Sequence, residues 1–524
     1  MPGEPALLHG GPLPAPPVAT LGEALARAAR GTRGMVLLDA GGNASHRSYA
    51  QLYDDAARAL AALRAAGAVP GQTVILRPAH PADLLTVFWA CVLGGLAPLP
   101  LPPGGADEAL ADAHRAVGTA WLTGDEEPDT VPRGLRWLGR PGTLRAPAPD
   151  LARHPARPED LAALTLTSGS SGRPKAVPLT HRNILSRAHA TALVRGLDEH
   201  TRTLNWMPLD HVSGIVMFHV RDVFLTCHQV HADTGWVRAD PLRWLDVAAA
   251  EHVDTTWAPN HAFALVADRL DEPVDRSWDL SGLRYIMNGG EAVKDRVAHR
   301  FVAALSRYGL PATAVHPGWG MPETASGVVD SVFSPHGGPF RRFVPVGMPH
   351  PGVSLRVVDE KDQLLPERAV GRLQVTGLPV AGGFLEGGVY RRAPLTADGW
   401  LVTDDLAFVD AGEVTVTGRA DDVIEVAGAR YHSHEIEEAV EELACVTPSS
   451  TVARGLPGAP GRLAVFFRPR PEFPVPQAEG LVREKVRSRF GATVEHLEAL
   501  TEDELPRTAT GKLRKSALSA RLPG

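Results

Sequence analysis

Leu164-Thr-Leu-Thr-Ser-Gly-Ser-Ser-Gly-Arg-Pro-Lys175 is the stretch on which the reading of this chain turns. A β-type run ends in a cluster of hydroxyls and two glycines, and a lysine follows. Glycine lets a backbone approach an anion closely, hydroxyls donate hydrogen bonds, and lysine adds a point charge. Together these suit a polyphosphate cradle. The segment is not a P-loop, because nothing in it matches the four-residue gap before Gly-Lys-Ser/Thr. On composition alone a plain Ser/Gly linker reads equally well, so the rest of the chain has to decide.

Outward from that stretch the chain alternates helix and strand. Residues 49–67 repeat apolar side chains at helical spacing (Leu52, Ala56, Leu60, Leu63) and close on Gly67 and Pro70. Val74-Ile75-Leu76 reads as a short strand. Residues 84–101 are uncharged and almost long enough to span a bilayer. Gly94-Gly95, Pro98 and Pro100 interrupt them and no basic flank anchors them, so a buried helix running into a buried strand is expected. Residues 102–160 are rich in Pro, Gly and Asp, with 119–122 as a short structured piece. Alternation resumes at Leu164 and runs to about residue 330, the mark of layered α/β architecture. Short β-type runs at 353–358, 371–376, 400–403 and 413–417 then suggest a β-rich portion. The tail beyond Gly418 carries helices at 434–443 and 477–489 and a strand at 462–467. The expected fold is α/β: a flexible arm over 1–20, a large N-terminal region of layered α/β subdomains with a small β-rich portion over 21–418, and a small α+β C-terminal domain over 419–524.

Composition narrows the function. Of 524 residues 44% are hydrophobic and 22% charged, an ordinary globular balance. A net charge of −7 argues against a general polyanion binder, since backbone phosphates call for a basic face, but it leaves room for a local cationic pocket. Cys91, Cys227 and Cys445 are far apart and lack metal-ligand spacing, which excludes a disulfide scaffold and a zinc ribbon. The start, MPGEPALLHGGPLPAPP, has neither the basic end nor the apolar run of a signal peptide. A cytoplasmic protein without nucleic-acid or membrane partners is expected. Only six lysines occur (175, 294, 361, 485, 512 and 515), so each stands out in an arginine-rich chain.

Further motifs follow in order: Asn288-Gly-Gly-Glu291, Gly318-Trp-Gly-Met-Pro-Glu-Thr324, Thr403-Asp-Asp405, Gly418-Arg-Ala-Asp-Asp-Val-Ile-Glu-Val-Ala-Gly-Ala-Arg430 with Glu435-Ile-Glu437, and Pro506-Arg-Thr-Ala-Thr-Gly-Lys512. With TSGSSGRPKAV they resemble the stations of the adenylate-forming enzymes, which include acyl-CoA synthetases, nonribosomal peptide adenylation domains and luciferases. The resemblance covers about residues 20–520 and identifies the chain as an acid–AMP ligase that uses ATP and Mg2+. It implies that Thr167, Ser168, Gly169, Ser170, Ser171, Gly172 and Lys175 hold the leaving phosphates. Gly289, Gly290 and Glu291 would line the adenine, Trp319 would stack on it, Asp405 would accept the ribose hydroxyls, and Arg419 would reinforce that grip. Glu323 would place the magnesium, Lys512 would bridge the acid carboxylate and the α-phosphate, and Asp421 would be the pivot of a mobile C-terminal domain. Gly428 would line the path of an incoming thiol. The chain departs from the family pattern at Pro322, where Thr or Ser is usual, at Asp404 and Ala176, where glycine is usual, and at Glu425, where lysine is frequent. His432-Ser-His434-Glu435 looks only faintly like a metal site.

By the same resemblance the acid pocket draws on residues 206–218 and 257–263. His211 would be the gating residue near the carboxylate, and Asp210, Val212, Asn260, Phe263, Gly318 and Ser326 would surround the acid, with His261 as a further polar neighbour. Val212 stands where amino-acid-activating members place an aspartate for the α-ammonium. A buried ammonium without a carboxylate partner is costly, so an aryl or medium aliphatic acid is expected rather than an ordinary α-amino acid. Asp210, two positions earlier, would restore the amino acid reading under a shifted register. The acceptor is expected to be a phosphopantetheine thiol on a carrier protein, then CoA, then an amine. A non-catalytic nucleotide-binding partner subunit is the alternative of another class.

Overall fold

In the computed structural model the described residues are 3–104, 107–128, 130–167, 175–335, 337–426, 428–456, 461–508 and 513–522. Six strands run parallel in the order Gly34–Leu38, His228–Ala232, Arg202–Asn205, Thr255–Trp257, Tyr285–Asn288 and Val315–Met321. Antiparallel strands flank them, Ala44–Ser48 at one edge and Ser326–Asp330 with Met348–Pro349 at the other. Parallel strands covered on both faces are apolar throughout rather than alternating. Tyr285–Asn288 (YIMN) is buried at every position. The carboxyl ends of neighbouring strands lie side by side, and ligands of open α/β sheets bind along that edge. The loops that leave it carry Trp206–Val212, Asn260, Gly289–Lys294 and Pro322–Ala325.

A second, four-stranded parallel sheet runs Ala97–Pro100, Thr73–Arg77, Ala120–Gly124, Leu135–Gly139. Its edge explains the segment that reads as nearly membrane-spanning. Pro81–Gly94 is a helix with proline in its first turn, stopped by Gly95 in the left-handed conformation at φ +71°. Pro98 and Pro100 sit in the edge strand, where a missing N–H is tolerated. Among the described residues no helix is long and apolar enough to cross a membrane. Leu161–Thr167 and Lys175–Thr180 form an antiparallel pair that a hairpin from 383–392 extends.

The β-rich portion is a five-stranded antiparallel sheet in the order Leu7–His9, Val353–Val358, Gly371–Gly377, Leu401–Asp410, Glu413–Arg419. Its first member corrects the expectation of a flexible arm over residues 1–20. Leu7–His9 pairs with the edge strand Val353–Val358, and Ala6 is completely buried. Three residues suffice because the neighbouring edge offers unpaired backbone groups and Leu8 covers the sheet's apolar face.

After Glu413–Arg419 the turn Ala420–Asp422 leads to a separate hydrophobic core. The hairpin Val423–Val426/Ala429–His432 precedes helix Ser433–Glu441, and the sheet Val446–Gly455, Arg462–Pro469, Thr493–Ala499 packs with helix Val475–Phe490 through Val440, Phe467 and Val482.

Candidate active site

On the phosphate side Thr167 lies opposite Lys175 in the ladder, so the two strands present the ends of the intervening loop together. Ser168, Gly169, Ser170, Ser171 and Gly172 lie outside the described residues, as does Lys512. The Lys175 ammonium sits 5.3 Å from the centre of the Phe384 ring. Glu323 belongs to the single turn Pro322–Thr324, only 8% exposed. Its Oε2 has no hydrogen-bond partner among the described residues. Burial, with the charge of Asp404 nearby, pushes this carboxyl above its ordinary range, while Lys175 and Arg419 pull the other way. A shielded, unpaired carboxylate oxygen facing a lysine fits the donor set of a hard divalent cation. Pro322 occupies the first position of that turn, where a missing N–H and a preset φ cost nothing. Thr324 Oγ1 fixes the turn by donating to the Ser326 carbonyl at 2.7 Å.

The adenine and ribose residues meet beside it. Trp319 Nε1 donates to Asp405 Oδ2 at 2.8 Å, so the two side chains form one unit. Arg419 lies across from Asp405 in the ladder. Its guanidinium pairs with Asp404 and with Asp421, each at 3.1 Å. Asp404, the departure from the usual glycine, therefore clamps the arginine. Glycine is required where two loops close up: a Cβ on Gly289 would lie 2.6 Å from the Gly318 carbonyl oxygen. Gly290 holds a φ of +83°.

The acid side departs from expectation. Phe263 is fully buried and stacks on Phe301 with centroids 4.0 Å apart, inside an aromatic column that continues to Trp244. It packs within the hydrophobic core. Asn260, 2% exposed, spends its groups on the backbone. Its N–H donates to Glu291 Oε1 at 3.1 Å, its Nδ2 to the Ala292 carbonyl at 2.6 Å, and its Oδ1 accepts from Lys294 N at 3.2 Å. It is a splint for the Gly289–Lys294 loop. Glu291 is thereby a brace of that loop. Val212 is 5% exposed and apolar. His211 is exposed, with Nδ1 accepting from Ser213 N at 3.1 Å. Burial pushes the Asp210 carboxyl up to about 6. Ser326 Oγ is buried without a partner among the described residues, on a residue held at φ +96°. His261, held neutral by burial with its pKa down to about 4, carries a buried unpartnered Nδ1.

Gly428 lies in an open turn. A Cβ there would meet nothing within 4 Å, so in this structure crowding does not demand glycine. Its φ of +81° in the turn between Val426 and Ala429 does. Sequence reasoning gave no role to Lys294, whose Nζ lies 2.9 Å from Glu441 across the boundary between the two cores. The rarity of lysine was the only signal that pointed at it.

A hairpin that pairs Thr167 with Lys175, a shielded carboxylate and a Trp–Asp unit that joins the parallel sheet to the β-rich portion define a nucleotide-handling enzyme. The chain belongs to the AMP-binding enzyme family, which it matches over residues 25–385. It is an acid–AMP ligase, an enzyme that activates an acid as its adenylate. Aspulvinone E synthetase melA of Aspergillus terreus is 31% identical over 528 residues, covering 94% of this chain and 56% of that protein. The chain spans about half the length of the curated relatives it matches. The structure of McyG A-PCP complexed with phenylalanyl-adenylate superposes with a TM-score of 0.91 at 31% identity, covering 98% of this chain and 84% of that one. A keto acid-selecting NRPS module, solved with its adenylation and ketoreductase domains, gives 0.89 at 32% identity over 99% of this chain and 47% of that one.

Proposed function

We propose that this protein activates a carboxylic acid without an α-ammonium group, an aryl or medium aliphatic acid with keto acids foremost, and passes the acyl group to a phosphopantetheine thiol on a carrier protein. CoA and an amine are the lesser acceptors. Val212 carries the acid assignment. At the position where amino-acid-activating relatives place a carboxylate, a buried apolar side chain gives an ammonium no counter-charge. The keto acid-selecting relative supports the substrate class, and the A-PCP relative supports the carrier acceptor.

In this reading Lys175 and the loop before it hold the β- and γ-phosphates, and Trp319 and Asp405 hold adenine and ribose. Lys512 neutralises the acid carboxylate against the α-phosphate, Asp421 is the pivot, and the hairpin at Gly428 meets the thiol arm. Glu323 would hold Mg2+, which when bound would offset charge on the departing pyrophosphate. His211, exposed at the mouth, orients the carboxylate.

Asp210 favours a second reading. Its shielded carboxyl has no cation partner among the described residues and offers a place for an ammonium. Acid-dependent pyrophosphate release with phenylpyruvate, phenylacetate, a medium-chain fatty acid and phenylalanine separates the two. Turnover with the keto or aryl acids and none with phenylalanine supports the first, and the reverse pattern overturns it. Lys512→Ala is expected to lower adenylate formation by at least about a hundredfold while sparing transfer from a supplied acyl-adenylate. Adenylate formation at the unaltered rate would remove the lysine from the mechanism.

A further inference from the structure

Lys294 is a lysine for which adenylate chemistry has no use, and it lies at the junction of three things. Its backbone N–H is held by Asn260, which also ties Glu291 and Ala292, so Lys294 ends the loop beside the adenine position. Its side chain leaves the N-terminal region and reaches Glu441 on helix Ser433–Glu441, with Nζ–Oε2 at 2.9 Å. Both side chains are shielded, 14% and 12% exposed. The charges of Glu437 and Glu438 also face the ammonium. Burial opposes its charge, yet the surrounding glutamates hold its pKa above the ordinary lysine value.

The pair has company along the same boundary. Arg296 meets Glu442 at 3.1 Å, Arg342 meets Glu435 at 3.0 Å, and Arg470 meets Asp268 at 3.5 Å. The arginines of these pairs are far more exposed than Lys294, so solvent and salt weaken them. Glu437 has a cation from its own domain, Lys515 at 2.9 Å, and Glu442 is shared with Lys485 at 2.7 Å. Among the described residues Lys294–Glu441 is thus the ion pair between the two cores in which both side chains are shielded, set within a rim of weaker ones.

The orientation it holds can be read from two landmarks. The charges of Glu502 and Arg507, a few residues before Lys512, fall within electrostatic reach of His261 on the acid side. Gly428 is exposed, and a Cβ on it would meet nothing within 4 Å. These landmarks are those of a C-terminal domain turned with its Glu502–Arg507 segment toward the acid side and its Gly428 turn toward solvent.

We infer that Lys294 is a positioning residue: its pair with Glu441 docks the C-terminal domain in the adenylate-forming orientation and ties that docking to the loop beside the adenine. The assignment of the orientation rests on the proposed reading of Lys512 and Gly428, whereas the docking does not. Removing the charge frees the domain without touching a reacting group. Adenylate formation slows, and transfer from a supplied acyl-adenylate, which needs the other orientation, does not.

Charge reversal tests this on the full chain. Lys294→Glu and Glu441→Lys are each expected to slow acid-dependent adenylate formation about tenfold and to leave transfer from supplied acyl-adenylate within about twofold. Tryptic cleavage between residues 419 and 430 of the substrate-free protein is expected to accelerate in each. The double reversal restores both rates toward the original. Lys294→Gln, which adds no new charge, moves both in the same direction by a smaller factor. The cleavage measurement needs no substrate, so altered cleavage with no adenylation in any protein would sink the proposed activity and keep the docking role. Unchanged cleavage in the single variants, or a double reversal no better than either, overturns the docking role. Equal slowing of both half-reactions overturns the assignment of orientation.

Discussion

Two shielded acid–base clusters stand on either side of the nucleotide loops, and they differ in what they join. Asp330 lies opposite Gly318 in the sheet and accepts from Tyr285 Oη at 2.6 Å, Arg195 Nε at 2.9 Å and His350 Nε2 at 3.1 Å. Burial opposes its charge, yet His350 and Arg195 hold its carboxyl well below the usual carboxylate range. Every partner belongs to the same packed region, so this carboxylate is a permanent part of one core. Lys294 and Glu441 are less deeply shielded than Asp330 and belong to separate cores. The same chemistry thus serves as a rivet in one place and as a clasp in the other. Where both partners are fixed, losing one leaves a buried charge. Where one partner moves away, water takes its place.

The sharpest way to break that comparison is Asp330→Ala. It is expected to destabilise the N-terminal region by about 3–5 kcal/mol, read from denaturant unfolding. A loss no larger than that of Lys294→Gln would erase the distinction. Next, Glu323→Gln replaces a carboxylate that has no ion-pair partner among the described residues. Pyrophosphate release should fall at least about tenfold at saturating Mg2+ while the fold keeps or gains stability at pH 7. An active, destabilised variant would make Glu323 a structural group instead.

Asp210 sharpens the comparison further, being shielded and without an ion-pair partner among the described residues. Burial raises its pKa to about 6, so the folded protein holds this proton more tightly than the unfolded chain. Its contribution to stability is therefore lost as pH rises from about 4 through 6. Asp210→Asn should be more stable than the original by up to about 2 kcal/mol at pH 8 and equal to it at pH 4. Equal stability at both pH values would mean that the carboxyl is solvated or paired. The smallest effect is expected at the hinge-side turn: Gly428→Ala costs roughly 1 kcal/mol through its left-handed backbone, seen as a lower unfolding midpoint of the C-terminal domain.

Much of this was legible in the sequence because the information was local. The helix Tyr49–Ala65 follows from apolar spacing and is opened by a Ser48–Gln51 capping box, and the interrupted apolar run resolves into helix and edge strand at its own glycines and prolines. What was not legible depended on distant partners. Leu7–His9 becomes a strand only because residues 353–358 leave an edge free. The stacking of Phe263 on Phe301 joins two distant helices, and periodicity does not say which faces of them meet. Asn260 has the chemistry of a ligand-binding amide, and only the path of the 288–294 backbone reveals that its groups are already used. Lys294 finds its partner 147 residues away, beyond any motif.

The indole of Trp319 gives its N–H to Asp405 at 2.8 Å. A ribose that takes up that carboxylate must share it with the indole, so nucleotide entry perturbs the polarity around this chromophore directly. The enzyme in effect carries its own gauge. Its ultraviolet emission should change with the fraction of sites filled, and Trp319→Phe should silence that part of the signal, leaving a label-free titration of the empty and loaded forms.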